Sequence, residues 1–381
     1  MKTLILYIDA LGFKFISKEN TPFLYNFGKE NSLLRLNTLL GYTGIENTFI
    51  TGKMPSETGI WTEFIYKKNL IGSLSKLIPL PNNHISYFYA LLSYLRGDTF
   101  LSKLHNIPRN FFGKFSPGIK DGLWKRDFFT NRTFVYYAWP FFVVNNKVSL
   151  DVIKRNDEYK VNKFIKSFNE KSDVYFIHLV DLDKTMHEFG TNHKKTINEL
   201  NKQDEYASII VNEFKSKFKE CKIAIWSDHG FIDIKEEINI EEKIKNIKNI
   251  DYFLDSTIAR FWVKDNSSKE ELMAVLRTIK NGKILDLKDK DKYHMPLGRE
   301  YGDVIFALEP GFLIVPNFYQ GEKGCKGMHG YMPDKADLAG FFIINTLAFR
   351  ANDKFFLPWA KLFSFFPRLK HSRFVFSNFS C

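Results

Sequence analysis

The feature that most constrains this chain is a short apolar run that exits directly into polar chemistry. Ile223-Ala224-Ile225-Trp226 is followed at once by Ser227-Asp228-His229-Gly230-Phe231. A continuous apolar run without polar alternation fits a strand buried on both faces, as in a parallel sheet covered by helices. Open α/β sheets place their ligands beyond the carboxyl ends of such strands. A carboxylate and an imidazole at that point sit where chemistry is done, although a satisfied turn Asp and a surface His would read the same from this stretch alone.

The pattern recurs. Thr3 to Ile8 reads as a buried strand ending at Asp9, and DVYFIHLVDLD (173–183) as a strand ending in acids. Between them Thr21-Pro22 opens a helix, with Thr21 as N-cap, Pro22 in the first turn, Phe23, Leu24 and Phe27 inward and an end near Glu30. A second strand is expected over Leu34–Leu39, leading into GYTGIENTFITG. An amphipathic helix over 194–220 carries Ile197, Leu200, Ile210, Phe214 and Phe218 near one face. This βαβ rhythm predicts an α/β fold: a central, mostly parallel sheet with helices on both faces.

The 381 residues suffice for one large domain or two modest ones. The expected core is discontinuous, made of 1–61, 166–255 and 321–350. The stretch 62–165, rich in Phe, Tyr, Lys and Pro and poorly periodic, reads as an inserted cap over the sheet, with a short helix at 88–95. Residues 256–320 read as a small α+β subdomain: strands in STIARFWV, GDVIFAL and GFLIV, and a helix in SSKEELMAVLRTIKNG with Ser267 and Glu270 as a capping box and Gly282 as its stop. Residues 351–381 form an aromatic and basic tail that either packs on the body or lies on an anionic membrane surface.

Composition narrows the setting. With 44% hydrophobic and 26% charged residues the chain should bury a core. A surplus of 55 Lys and Arg over 43 Asp and Glu gives +12, which favours phosphate esters, acidic headgroups or nucleic acid, yet no nucleic-acid motif accompanies it. Three widely spaced cysteines, Cys221, Cys325 and Cys381, point to a reducing, cytoplasmic setting. MKTLILYIDALGF is read as the first strand rather than a signal peptide, because Asp9 interrupts it and no small-residue cleavage site follows. There is no run of about 18 apolar residues.

The strand-end groups form a set: Asp9, Asp183 and His187 in DLDKTMHEFG, Asp228 and His229, and His329 in GMHGYMP with nearby glycines that permit close backbone approach. Carboxylate oxygen with imidazole nitrogen is the ligand mix of zinc, acceptable also to manganese or iron. Six such groups are enough for two cations. Asp183 and His187 can aim at one ion if their stretch is helical, though a D-x-x-x-H taken alone is more often a surface pair.

The set, in this order, resembles the type I phosphodiesterase and nucleotide pyrophosphatase branch of the alkaline phosphatase superfamily. That pattern runs through a first-strand Asp, a Thr or Ser nucleophile, TG-x-x-P-E-x-x-G-I, D-x-x-x-H, SDHG and a final HG. Here it is Asp9, GYTGIENTFITGKMPSETGI (41–60) with Ser56 before Glu57, Asp183/His187, Ser227 to Gly230, and His329-Gly330.

The resemblance implies an alkaline-phosphatase-like fold and two divalent ions, usually zinc, with manganese as the alternative. Asp183, His187 and His329 would hold one ion, and Asp9, Asp228 and His229 the other, with Thr43 bridging toward the pair. Thr43 is then the nucleophile: a hydroxyl on a divalent cation has a lowered pKa and a fixed position, and two ions about 4 Å apart can clamp attacking and leaving oxygens. Thr48 and Thr51 remain alternatives, because the spacing to Thr51-Gly52 is one residue shorter than in the family.

The reaction so implied is hydrolysis of a phosphodiester or diphosphate in a nucleotide, nucleotide-sugar or lipid-linked phosphate, through a phospho-threonine. Glu63 stands where family diesterases carry an Asn that donates to phosphate; Thr62, Asn47 or a Lys would then supply the donor. This keeps two alternatives open: a phosphomonoesterase or phosphotransferase, and a non-catalytic metal-containing binding protein. The C-x-P-x-R nucleophile motif of sulfatases is absent, which argues against that activity. His178, mid-strand, reads as a core histidine and His193 as a helix-start residue, while the basic stretch 118–132 is either a solvated face or a second phosphate contact. Neither the oligomeric state nor the specific substrate is encoded in these motifs.

Overall fold

The computed structural model describes residues 2–75, 106–118, 134–137, 156–166 and 174–345. The helix expected at 88–95, nearly all of the basic stretch 118–132 and the tail 351–381 lie outside the described residues. No described helix is long and apolar enough to cross a membrane. The chain passes through β1 (Lys2–Ile8), α1 (Pro22–Glu30), β2 (Ser32–Leu36), α2 (Gly44–Thr51), β3 (Phe134–Tyr137), α3 (Asp157–Lys166), β4 (Val174–Leu179), α4 (Asp181–Phe189), α5 (Lys194–Lys217) and β5 (Cys221–His229). It continues through β6 (Ile250–Leu254), β7 (Ile258–Val263), α6 (Asn266–Arg277), β8 (Gly282–Ile284), β9 (Val304–Leu308) and β10 (Ala339–Ile344).

The large sheet has the order β2-β10-β5-β1-β4-β3. Strands β5, β1, β4 and β3 are parallel neighbours, and β10 runs antiparallel to both β5 and β2. Only β10 is reversed, so the mostly parallel sheet expected from the βαβ rhythm is what forms.

Register decides what each face carries. Leu4, Leu6 and Ile8 lie opposite Tyr175, Ile177 and Leu179, and Leu4 and Leu6 also lie opposite Ile223 and Ile225. Alternation sends all of these to one face, where they pack with Leu24 of α1, Phe164 of α3, Met186 of α4 and Ile210 and Phe214 of α5. The opposite face receives Tyr7, His178 and Trp226, which are also in register. Their rings stack at 3.9 Å (Tyr7 on His178) and 4.0 Å (Tyr7 on Trp226), and Phe49 of α2 closes the column on Trp226 at 3.8 Å. Helices therefore cover both faces.

Three local expectations are corrected. Thr21 occupies the N-cap of α1, but its hydroxyl donates to the Phe15 carbonyl (2.9 Å). The first-turn amides of Phe23 and Leu24 donate instead to Asp204 of α5, at 2.9 and 2.8 Å. A tertiary carboxylate has taken over the cap, tying α1 to α5. In α6, Asp265 accepts from the Ser268 amide (2.8 Å) in place of the Ser267/Glu270 box. Strand β2 runs over Ser32–Leu36 rather than 34–39, because its pairing with β10 spans Ser32 to Leu36.

A second, antiparallel sheet has the order β6-β7-β9-β8. Phe253, Phe261, Trp262 and Phe306 pack there with Leu272 and Leu276 of α6. Its buried Arg260 pairs with Asp255 (Nε to Oδ2, 3.1 Å) and donates to the Thr62 hydroxyl (3.2 Å) and the Phe64 carbonyl (2.8 Å). That ties the small sheet to the segment following α2.

One buried charge pair sits under the first turn of α4. Asp157 accepts from the amides of Val180 and Asp181 (each 2.8 Å to Oδ2), from Gln203 Nε2 (3.0 Å) and from Lys160 Nζ (2.8 Å). Lys160 also donates to the His178 carbonyl at 2.9 Å. Asp157 thereby does for α4 what an N-cap side chain would, since Val180 at the cap position offers none. Removing one partner of a fully buried pair leaves an uncompensated charge, so Lys160→Met is expected to destabilise the fold by about 3–5 kcal/mol in urea unfolding.

Candidate active site

The carboxyl ends of β1, β4 and β5 open onto one place. Asp9 follows β1, and its amide continues the ladder by donating to the Leu179 carbonyl (2.9 Å). Asp228 and His229 end β5. Asp183 and His187 lie on α4, which begins two residues after β4, and the helical spacing puts both on one side. His329 follows the two-residue strand Gly327–Met328, paired antiparallel with Ile232–Asp233.

These six side chains converge in two overlapping groups. Ligand atoms of Asp183, His187 and His329 lie within 4.8 Å of one another, and so do those of Asp9, Asp183 and His229. Asp183 is common to both. Asp228 joins through His229, whose Nε2 is 3.2 Å from Asp228 Oδ2 and 3.6 Å from Asp9 Oδ1. The rings of His229 and His329 stack at 3.7 Å.

The donor chemistry fits divalent cations. His187 Nδ1 lies 3.0 Å from the Gly327 carbonyl and His229 Nδ1 3.1 Å from the Gly230 carbonyl. A carbonyl can only accept, so each Nδ1 carries the hydrogen, and in the neutral ring Nε2 presents a bare lone pair. Those lone pairs face carboxylate oxygens, an arrangement that is repulsive between the groups themselves and attractive around a cation. Fixing a metal-binding imidazole by its other nitrogen on a carbonyl is how such ligands are oriented. Asp183 Oδ1 is buried without a hydrogen-bond partner, although His187 and His329 Nε2 lie 3.5 and 3.6 Å away. Burial pushes the His329 pKa well down, which keeps that ring neutral. Burial likewise raises the pKa of the Asp228 carboxyl, while a Tyr7 hydrogen bond pulls it back.

Thr43 stands at the N-terminus of α2, partly exposed. The segment leading into it is fastened to the His329 segment. The Gly41 amide donates to the Gly330 carbonyl (3.1 Å), and the Tyr42 ring packs edge-on against His329 at 5.3 Å. Thr48 is fully buried within α2, so its hydroxyl is not available to a substrate. Thr51 ends the same helix, about 12 Å from Thr43 at 1.5 Å per residue. The free amides of a helix start also favour an anion at Thr43.

Around Glu63, two of the donors expected in its place already make other bonds. The Thr62 hydroxyl donates to the Phe64 carbonyl (2.9 Å), and Asn47 Nδ2 donates to the Thr58 hydroxyl (3.0 Å). Glu63 itself is close enough to Asp255 and Tyr319 that its charge helps raise the pKa of both, behind the larger effect of burial.

His178 is buried, as a core histidine would be, but it is more than filling: its Nε2 lies 3.2 Å from Asp9 Oδ2. Strand parity carried the signal, because His178 is out of phase with the core-facing Ile177 and Leu179. His193 caps α5 by accepting from the Lys195 amide (3.2 Å). The acidic triplet Asp157, Asp181 and Glu199 is also compact, but Lys160, Gln203 and backbone amides already occupy Asp157.

Fold and cluster together define an alkaline-phosphatase-like α/β protein. A family model described as type I phosphodiesterase / nucleotide pyrophosphatase matches residues 103–332, more than half of the chain. The chain belongs to that family. Among solved structures it is similar to murine ectonucleotide pyrophosphatase/phosphodiesterase 5, at 17% identity and TM-score 0.63 over 92% of this chain and 90% of that one. The human counterpart gives 18% and 0.64 over 92% and 89%. An inactive Thr-to-Ala variant of the murine protein, in complex with AMP, gives 16% and 0.62 over 92% and 90%. No curated protein matches the sequence.

Gly330 has φ +81°, and a Cβ there would lie 2.3 Å from Tyr42 Cε1. Gly330→Ala is expected to cost about 1–3 kcal/mol from the backbone conformation alone, more with the clash, read as a lowered urea midpoint.

Proposed function

We propose that this chain is a metal-dependent hydrolase of phosphodiester or diphosphate bonds, with Thr43 as nucleophile and two divalent cations, zinc by ligand chemistry. The observation that carries the reading is the shared carboxylate: two compact ligand groups meet at Asp183, with the lone pairs of His187 and His229 turned inward. Asp183, His187 and His329 would hold one cation; Asp9, Asp228 and His229 the other, with Asp183 lying between the two. Bound there, the ions would supply neutralisation of phosphate charge and acidification of a hydroxyl.

The chain's own residues do the rest. Thr43 sits at the start of α2, where the first amides can bind phosphate oxygens and orient the ester for in-line attack. The Thr43 oxygen bonds to phosphorus as the leaving oxygen departs, giving a phospho-threonine that water then hydrolyses. The AMP bound by the murine neighbour, and the inactivity of its Thr-to-Ala variant, support a nucleotide substrate and a threonine nucleophile.

Glu63 favours the second reading, a monoesterase or a metal-holding binder, because a carboxylate next to phosphate repels it. Aryl phosphate diesters and monoesters, assayed with and without EDTA, separate the readings. Diester cleavage abolished by EDTA is expected; a monoester preference supports the monoesterase, and silence with metal retained supports the binder. Thr43→Ala should lower turnover by more than about a hundredfold with metal content unchanged; a variant at full rate removes Thr43 from the mechanism. Asp183→Ala, which deletes the shared group, should lower bound zinc more than His187→Ala does, as read by elemental analysis.

A further inference from the structure

The imidazole of His178 is held more tightly than core filling needs. It stacks on Tyr7 at 3.9 Å with the rings 12° from parallel, and Lys160 fixes its own carbonyl at 2.9 Å. Its Nδ1 is buried with no hydrogen-bond partner among the described residues. A Phe at this position would stack on Tyr7 without stranding a polar atom, so packing alone does not account for a histidine. What the histidine adds is Nε2, 3.2 Å from Asp9 Oδ2, while the other oxygen of Asp9 faces His229 Nε2 at 3.6 Å. One carboxylate oxygen is thus taken from behind and the other is presented to the site.

We propose that His178 is a positioning residue for the Asp9 half of the site, locking the Asp9 carboxylate in the rotamer that serves a cation shared with Asp228 and His229. The proposal rests on the two-cation reading above. It assigns no contact between His178 and substrate. The Asp157–Lys160 pair extends the device: through Lys160 it holds His178, and through the Val180 and Asp181 amides it holds the helix carrying Asp183 and His187. One buried pair therefore references both halves of the site to each other.

The test is zinc affinity of the full chain, by competition with a chromophoric chelator, on wild type, His178→Phe and His178→Gln. Phe keeps the ring stack and removes the donor; Gln keeps a donor near the Nε2 position and removes the stack. Wild type should hold two equivalents. His178→Phe should keep one of them and weaken the other about 10- to 100-fold, and His178→Gln should recover to within about threefold of wild type, in line with the usual effect of losing an outer hydrogen bond to a ligand. Diester turnover of His178→Phe should fall at limiting zinc and return at saturating zinc.

Wild-type affinity for both equivalents in His178→Phe overturns the positioning role and leaves the two-cation reading intact. A wild-type chain that holds fewer than two equivalents overturns both. If His178→Phe does not fold, His178→Gln still decides: folded protein with both equivalents supports the role, and folded protein lacking the second overturns it.

Discussion

Three carboxylates, Asp9, Asp183 and Asp228, are gathered at the end of one sheet, and their mutual repulsion is the constraint around which the rest is arranged. Like charges within a few ångströms oppose folding unless something offsets them. The protein supplies part of the offset: a Tyr7 hydrogen bond and the Ala10 amide (3.4 Å) on Asp228, and His178 on Asp9. The groups nearest are imidazoles whose hydrogens are turned away, onto carbonyls. A site that needs positive charge and has turned its own donors outward is complementary to a cation.

Holding such a site open requires a rigid frame, and the parallel register provides it. Because β1, β4 and β5 are in step, Tyr7, His178 and Trp226 lie side by side and their rings stack into one column. The column ends on Phe49, which belongs to the helix that starts at Thr43. The helix bearing the hydroxyl is thus docked on the same three strands that deliver Asp9 and Asp228. Face-to-face aromatic contact fixes distance and tilt together, which a cluster of aliphatic side chains would do less sharply.

The sheet and the strand-end Asp and His residues that cluster beyond it were legible in the sequence because each rests on a local signal. Apolar runs such as Ile223 to Trp226 end in side chains with few structural uses at that position, and Asp183 and His187 keep helical spacing. What was not legible depends on residues distant in sequence. Asp204 caps α1 from about 180 positions away, and no local pattern announces it. Thr21 and the Ser267/Glu270 pair carried the right residue types for caps, yet a tertiary carboxylate and the nearer Asp265 won those amides. His178 was hidden in plain view, since a histidine inside an apolar strand reads as core until register shows which carboxylate it meets.

The small antiparallel sheet enters the same logic through a single hydroxyl. Thr257 donates to the Gly330 carbonyl at 3.2 Å, and its only hydrogen is then committed. The 2.7 Å contact with Tyr42 must therefore have the tyrosine as donor. That is consistent with burial pushing the Tyr42 pKa well above its ordinary value and keeping it protonated. The Gly330 carbonyl also receives the Gly41 amide. Three segments meet at one carbonyl: the one that carries Thr43, the one that carries His329, and the second sheet. The second sheet is consequently no appendage; it sets how far the Thr43 segment stands from the histidine that follows Met328, and a change in its packing would be felt at the site before it was felt in the large sheet.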